Sequence, residues 1–392
     1  MRADKSANGR TKVTNSLATG SATTTAIATN ATSIGYWAAQ EQYSMHDLLK
    51  FVVQAEKGGF NSTMTSDHFH PWWHDNGYGN FTWAWIPAAA ERTKKMKFVT
   101  GVTAPIYRYH PAIVAQAFAS LDVLYPGRIG LGLGTGEAMN EVPLGYDWPK
   151  SSKVRLTRTV ETIQIIRKLW NQERKSKRYY RDKRNRNSND YDNSSRYRNA
   201  AEEGFIDFNG EYFLIRQAKL YTPPVSKHIP IYLAVTGPQS VKAAARFADG
   251  FITFLKPSES SSVLDTINAS TIMEDRDPSS FEKMAEYKLS FSEDYDKAFE
   301  STKFWRATLI KNIFSSNVSD PRQLQKKAER QVTDEQLKES IDIITSVEDC
   351  MKRIEEYFKS GFTKVYIHST SPDETYFVRS FSKKVLPYFS ER

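Results

Sequence analysis

Strand-like and helix-like segments alternate along most of this chain, and that alternation narrows the available folds more than any other feature. "SIGYWAA" reads as a strand. "SMHDLLKFVVQAEKGGF" follows it, with Leu48, Phe51, Val52 and Ala55 on one helical face and Gly58-Gly59 ending the helix. "STMTSDHF" with "FTWAWIPAAAERT" repeats the unit, as does "MKFVTGVTA" with "HPAIVAQAFASLDVL". "RIGLGLGTG" opens a fourth unit, whose long helix runs from about Lys153 to Trp170 with Leu156, Val160, Ile163, Ile166 and Trp170 on one stripe. "IPIYLAVTG" plus "PQSVKAAARFA" is a fifth, and "GFITFL", "AEYKLSFS" and "TKVYIHSTS" complete a set of eight strands. Alternation predicts a parallel sheet, and eight such strands in sequence predict a (β/α)8 TIM barrel with its active site at the strands' C-terminal ends. A length of 392 residues accommodates it in one domain.

Two segments fall outside this pattern. Residues 1–33 are rich in Ser, Thr, Ala and Asn, with four basic residues and one acid. Such a composition predicts a disordered extension, and it faintly resembles an organelle transit peptide. Between Trp170 and Phe205 the chain turns polar, which predicts a charged insertion at about 173–204 in a domain spanning 34–392. A strand-turn-strand piece, "FIDFNGEYFLI", follows it. The block from Arg174 to Arg198 holds ten Arg and Lys against three Asp. The formal charge of +9 therefore resides in these two segments, and the remainder sums to −1. Binding of nucleic acid or another anionic polymer would have to use the Tyr/Arg block, since the body is nearly neutral. The single cysteine, Cys350, excludes an internal disulfide and a cysteine-built zinc site, which points to a reducing, cytoplasmic setting. No apolar run approaches the roughly 18 residues of a membrane helix.

The segment "TSDHFHPWWHDNGYG" holds three of the seven histidines and two of the eight tryptophans. In the barrel it falls where strand two gives way to its loop, so Asp67 and His68 reach the catalytic face with Trp72 and Trp73 above. An imidazole titrating near pH 6.5 can exchange a proton with a hydroxyl, and an indole offers a flat wall to a flat ligand. A structural Asp-His turn edged by aromatics explains the same residues. "GRIGLGLGTGEAMNE" has glycines at 130, 132, 134 and 136, but no register of G-x-G-x-x-G, because Thr135, Glu137 and Met139 take the third-glycine positions. Glycines two apart leave one strand face bare, so a ring system can lie against the barrel mouth there. Gly101 within strand three marks a bulge or a close backbone approach. "LAVTGPQS" opens a helix whose first N–H groups suit an anion, though ordinary turn chemistry accounts for it too. His68, His70 and His74 are two and four apart, but the intervening Pro71 denies them the helical geometry of a zinc pair, and no metal site is expected.

Taken together, "IGYWAAQEQYS", "SDHFHPWWH", "APIYRYHPAIVAQAFA", "LYPGRIGLGLGTGEAMNE" and "LAVTGPQSVKAAARFADGFI" resemble the luciferase-like (β/α)8 family. Within it they most resemble the branch that uses the deazaflavin coenzyme F420, typified by glucose-6-phosphate dehydrogenases. The resemblance runs from about Ile34 to the C-terminus. It implies an F420-dependent oxidoreductase taking hydride from an alcohol carbon, as a homodimer. An FMN-dependent monooxygenase is the alternative, and an anionic-polymer binder is the reading from another class. The resemblance also implies that His68 and Glu137 are the proton-transfer pair, that Trp72 is the indole beside the deazaflavin, and that Glu41 is a further pocket carboxylate. His68 is expected as base toward the hydroxyl and Glu137 as acid toward the ring, with the reverse left open. Asp67, Ala104, Thr135, Gly136, Asn140, Thr236, Gly237, Gln239 and Ser240 fall at cofactor-contact positions. Gly101-Val102 falls where the family has a non-proline cis peptide.

The sugar-phosphate branch clamps its phosphate with a Thr, two Lys and an Arg. Thr253 and Lys256 fill the first part here, whereas Ser315 and Glu339 occupy the second Lys and the Arg positions. Lys311 and Lys338 are close but out of register. The polar composition of the Arg174–Arg198 block yields one prediction. Deleting it should leave folding and cofactor affinity nearly intact. Its positive charge should instead steepen the salt dependence of the on-rate of an acidic cofactor, and equal slopes with and without the block would exclude that steering.

Overall fold

The computed structural model of the protein describes residues 32–171 and 204–390. The expected extension and insertion lie outside them, except that the first strand already begins at Ser33. Eight parallel strands close into a ring. They are β1 (Ser33–Ala38), β2 (Ser62–Thr65), β3 (Lys97–Thr100), β4 (Ile129–Leu133), β7 (Ile231–Ala234), β8 (Gly250–Thr253), β9 (Glu282–Phe291) and β11 (Lys364–Ser369). Closure comes from β11, which pairs with β9 on one side and β1 on the other, Tyr36 facing Ile367. The hairpin β5 (Ile206–Asn209) and β6 (Leu214–Ala218) is antiparallel and separate. This is the TIM barrel that the alternation predicts.

The strands are short and buried on both faces, as parallel barrel strands must be. Outward residues such as Tyr36, Phe98, Leu131 and Ile367 pack under the helices. Inward residues, including Trp37, Met64, Val99, Ile252 and Tyr366, form a second apolar cluster inside the ring. The helices begin where local chemistry allows. In α1 (Met45–Lys57) the Ser44 hydroxyl accepts the Asp47 N–H, and α3 (Pro111–Leu124) starts on a proline, whose missing N–H is no loss there.

Four sequence expectations need correction. Strand pairing in β2 stops at Thr65, and Ser66 to Phe69 form a loop, because the Ser66 hydroxyl turns to accept the Gln40 N–H at 3.0 Å. A ninth strand, β10 (Asp342–Ile344), pairs with the C-terminal half of β9 outside the ring, and three residues are too few to show a period. Helix α5 (Ser152–Trp170) buries Thr159, Glu161 and Thr162 besides Ile163 and Ile166. These polar groups are satisfied: Glu161 accepts the N–H groups of Glu211, Tyr212 and Phe213, which fixes the hairpin turn. Finally, the bare face of β4 is filled by the chain itself. A Cβ on Gly132 would overlap the Thr100 carbonyl oxygen, and one on Gly134 would strike the Val102 side chain. The glycines admit β3, not a ligand.

Gly132→Ala is therefore expected to destabilise the protein by about 1–3 kcal/mol or more, the range for overpacking a tight interior. Denaturant unfolding measures it, and an unchanged midpoint would show that β3 can retreat.

Candidate active site

The loop after β2 carries His68 over the C-terminal mouth of the ring, and the loop after β1 places Glu41 behind it. His68 Nδ1 lies 2.6 Å from Glu41 Oε1, and the Ser66 hydroxyl donates to Glu41 Oε2 at 2.5 Å. On the opposite side, His68 Nε2 stands 3.9 Å from Glu137 Oε2, Glu137 lying at the end of β4. Glu41 is fully buried, whereas the His68 and Glu137 side chains keep 12% and 18% of their surface exposed. Glu41 thus acts through His68, while His68 and Glu137 reach the mouth.

The electrostatics follow from this arrangement. Burial alone would lower the His68 pKa, but the Glu41 contact and the nearby Glu137 charge outweigh it and leave it raised. Burial alone would raise Glu41, but the His68 ring and the Ser66 hydroxyl hold it below its ordinary value. As a raised group, His68 adds stability that is full below about 6.5 and lost as pH rises through its folded pKa. Glu41, a lowered group, adds stability present above about 4.5 and lost as pH falls through its folded pKa. The pair supports the fold most between those values.

Asn140 ties the two functional segments together. Its amide nitrogen donates to Glu137 Oε2 at 2.9 Å, and its carbonyl accepts the Phe69 N–H at 2.7 Å. Asn140 is fully buried, as are Asp67 and Ala104, so these three stand behind the mouth. Asp67 accepts hydrogen bonds from Thr103 Oγ1 at 2.7 Å and the Tyr109 hydroxyl at 3.1 Å. Arg108 donates to the Asp67 carbonyl at 2.5 Å and lies 3.7 Å from the Glu141 carboxylate. Burial pushes Glu141 up to about 7 despite that guanidinium. Arg108, Tyr109 and Glu141 escaped the sequence analysis. The signal was the cation of "YRYH", in the loop that follows a strand end.

Trp72 is buried and meets His68 edge-on, with ring centroids 5.8 Å apart, and touches Phe314 on its other side. His70 and His74 have another task. His70 Nδ1 pairs with the Ser319 carbonyl at 3.0 Å, and the His74 and Asp75 N–H groups donate to Gln325 Oε1. The imidazole-rich loop is fastened to the cap segment 303–340. Among the described residues no group of three or more His, Cys, Asp or Glu can hold a metal ion.

Gly101, Val102, Thr135 and Gly136 form a partly exposed floor beside Glu137, free of large side chains. The Gly101–Val102 peptide is cis. Gly136 has φ 72°, and a Cβ there would press on Ala104 and Ile106, so the floor depends on a glycine. Such a shelf fits a flat ring. Thr236 and Gln239 are exposed. The Thr236 and Gly237 N–H groups are already taken by Ser240 Oγ, at 3.2 and 3.3 Å, and offer less to an anion than the motif suggests.

Residues 26–364 match the luciferase-like monooxygenase family. The chain belongs to that family. Its branch is the F420-dependent one: the F420-dependent glucose-6-phosphate dehydrogenase of Mycolicibacterium smegmatis is 32% identical over 90% of this chain and 97% of its own. A second such enzyme, from Rhodococcus jostii, is 33% identical over 90% and 96%. A solved F420-dependent secondary alcohol dehydrogenase, in complex with an F420-acetone adduct, superposes with a TM-score of 0.78 at 35% identity, covering 90% of this chain and 98% of that one. F420-dependent tetrahydromethanopterin reductase from Methanopyrus kandleri shares the luciferase-like fold at 20% identity and a TM-score of 0.69.

Glu41→Gln removes the nearest charge that raises His68 in this luciferase-like site. The imidazole should then titrate at lower pH than in the parent protein, as read by NMR of the His68 ring protons. An unmoved titration would show that Glu41 is not the group holding the proton.

Proposed function

We propose that the protein is an F420-dependent alcohol dehydrogenase with His68 as general base. The single observation that carries this reading is the imidazole held between two carboxylates, Glu41 at Nδ1 and Glu137 near Nε2. The Gly101-Val102 and Thr135-Gly136 floor would hold the deazaflavin, with Thr236, Gly237 and Gln239 toward its far end. When bound, F420 supplies a two-electron acceptor for the carbinol.

The protein's own groups supply the rest. Neutral His68 takes the hydroxyl proton at Nε2, and Glu41 fixes the ring by its contact at Nδ1 and stabilises the imidazolium that forms. Asn140 holds the Glu137 carboxylate toward the mouth, where it can hold or give a second proton. Trp72, packed against His68 and Phe314, keeps water from that side.

The phosphate clamp is not assembled. Lys256 Nζ donates to the Glu339 carbonyl at 2.7 Å and to Asp342 Oδ1 at 3.2 Å. The buried Thr253 hydroxyl accepts the Leu255 N–H, and Lys338 lies over the Phe299 ring. Ser315 ends the short turn Ile313–Ser315, and the Glu339 side chain is exposed. A phosphate dianion meeting Glu339 would lose about 1 kcal/mol or more. The reading therefore favours an uncharged alcohol over a sugar phosphate. A homodimer and a cytoplasmic location complete it, the first supported by the family resemblance and the second by a lone, buried cysteine. No described helix is long and apolar enough to cross a membrane.

Oxidised F420 should bleach when the protein and an uncharged alcohol are mixed. His68→Ala and Glu137→Gln should each lower kcat by roughly 10²–10⁴, the usual yield of general acid–base groups, while F420 still binds. Lys256→Ala should scarcely alter that turnover. Binding of FMN in place of F420, or a micromolar KM for glucose-6-phosphate abolished by Lys256→Ala, would overturn the reading.

A further inference from the structure

A second polar cluster adjoins the His68 pair, and the mechanism above does not use it. Strand β9 turns Glu286 and Lys288 into the barrel, and β11 turns in His368, which is level with Lys288 in the strand register. His368 Nδ1 lies 2.7 Å from Glu286 Oε1, and Lys288 Nζ lies 3.5 Å from the same oxygen. Two indoles enclose the group. His368 stacks on Trp37 with centroids 5.2 Å apart, and Trp305 meets it edge-on at 4.4 Å. Lys288 sits 4.3 Å over the Trp305 ring. Trp305 Nε1 in turn donates to Gln42 Oε1 at 2.9 Å, and Gln42 is the residue after Glu41. The cluster is thereby linked to the loop that carries Glu41.

Lys288 and Glu286 side chains are 19% and 16% exposed, close to the values for His68 and Glu137. Filling the barrel with apolar side chains would stabilise it at least as well as a buried ion pair does, so these charges need a reason other than stability. Their signs cancel, so the cluster does not select an anion or a cation. Burial and the Lys288 charge together hold the His368 pKa below its ordinary value, consistent with a neutral ring. Its Nε2 is buried and makes no hydrogen bond. What remains partly exposed is an ammonium donor and a carboxylate acceptor, positioned by a buried imidazole between flat aromatic walls. That set matches hydroxyl groups, each of which both donates and accepts.

We infer that Glu286, Lys288 and His368 form a specificity site for the hydroxyl groups of a neutral polyol, a sugar or sugar alcohol, whose reacting carbinol is presented to His68. The inference deepens the dehydrogenase reading and rests on it. In the reaction His68 would take the carbinol's hydroxyl proton, and bound F420 would supply the acceptor for the carbon-bound hydrogen and its two electrons, so that a carbonyl results. The remaining hydroxyls are unchanged and serve only for recognition. A site built for hydroxyls rejects analogues lacking them, because its own buried polar groups are then left unpaired.

The test uses the full chain in two arms. Fluorescence titration measures F420 affinity of the wild type and of Glu286→Gln/Lys288→Met, which removes both charges together and strands neither. Equal affinities are expected, and a wild type that does not bind F420 would overturn the dehydrogenase reading and this inference with it. Bleaching of F420 is then followed with neutral sugars, sugar alcohols, 2-propanol and glucose-6-phosphate. The best polyol should exceed 2-propanol in kcat/KM by about tenfold or more, and the double variant should collapse that ratio by about tenfold, mainly through KM. Saturation-transfer NMR should show polyol contact with the wild type and its loss in the double variant. Lys288→Met alone serves if the double variant unfolds. F420 binding with 2-propanol as the better substrate, or a polyol preference untouched by the variants, would overturn the specificity site alone, whereas glucose-6-phosphate as the better substrate would overturn the preference for an uncharged alcohol with it.

Discussion

Closure of the strand ring, with β11 laid between β9 and β1, is the constraint on which everything else depends. All eight ring strands run the same way, so whatever follows each of them arrives at one rim. Glu41, His68, Glu137 and His368 are spread over more than three hundred positions, yet each lies at or just beyond the end of its strand. The interior below them is filled by Trp37, Met64, Val99 and their neighbours, so the rim has a solid floor and not a pore.

On that rim two histidines of identical intrinsic chemistry are driven in opposite directions. His368 is buried and His68 largely so, which favours the neutral ring. His68 has Glu41 in contact and Glu137 nearby, and the summed attraction leaves its pKa raised. His368 has one carboxylate, Glu286, but also the ammonium of Lys288, and its pKa is lowered. The first is suited to receiving a proton and holding it briefly. The second is suited to hydrogen bonding without change of charge. Burial sets the scale, and the neighbouring charges set the sign.

The segment 303–340 seats Trp305 against His368 and Phe314 against Trp72, the indole that meets His68 edge-on. Just beyond it, β10 brings Asp342 to 3.2 Å from the Lys256 ammonium. The loop bearing His70 and His74 is fixed to this cap through Ser319 and Gln325.

The sequence by itself determined the barrel, because burial on both strand faces and on one helix face leaves a period that can be read locally. It also singled out His68 and Glu137, since each follows a recognisable strand, and the same rule applied to "YIHST" would have found His368. It could not reveal that the β4 glycines receive Thr100 and Val102, because the depth to which one strand approaches another is not a local property. Nor could it show that Asn140 is a tie between Phe69 and Glu137, that Arg108 links Asp67 to Glu141, or that Lys256 is already engaged by Asp342. Each of those depends on a partner distant in sequence, and only the closed ring and its cap decide which distant groups meet.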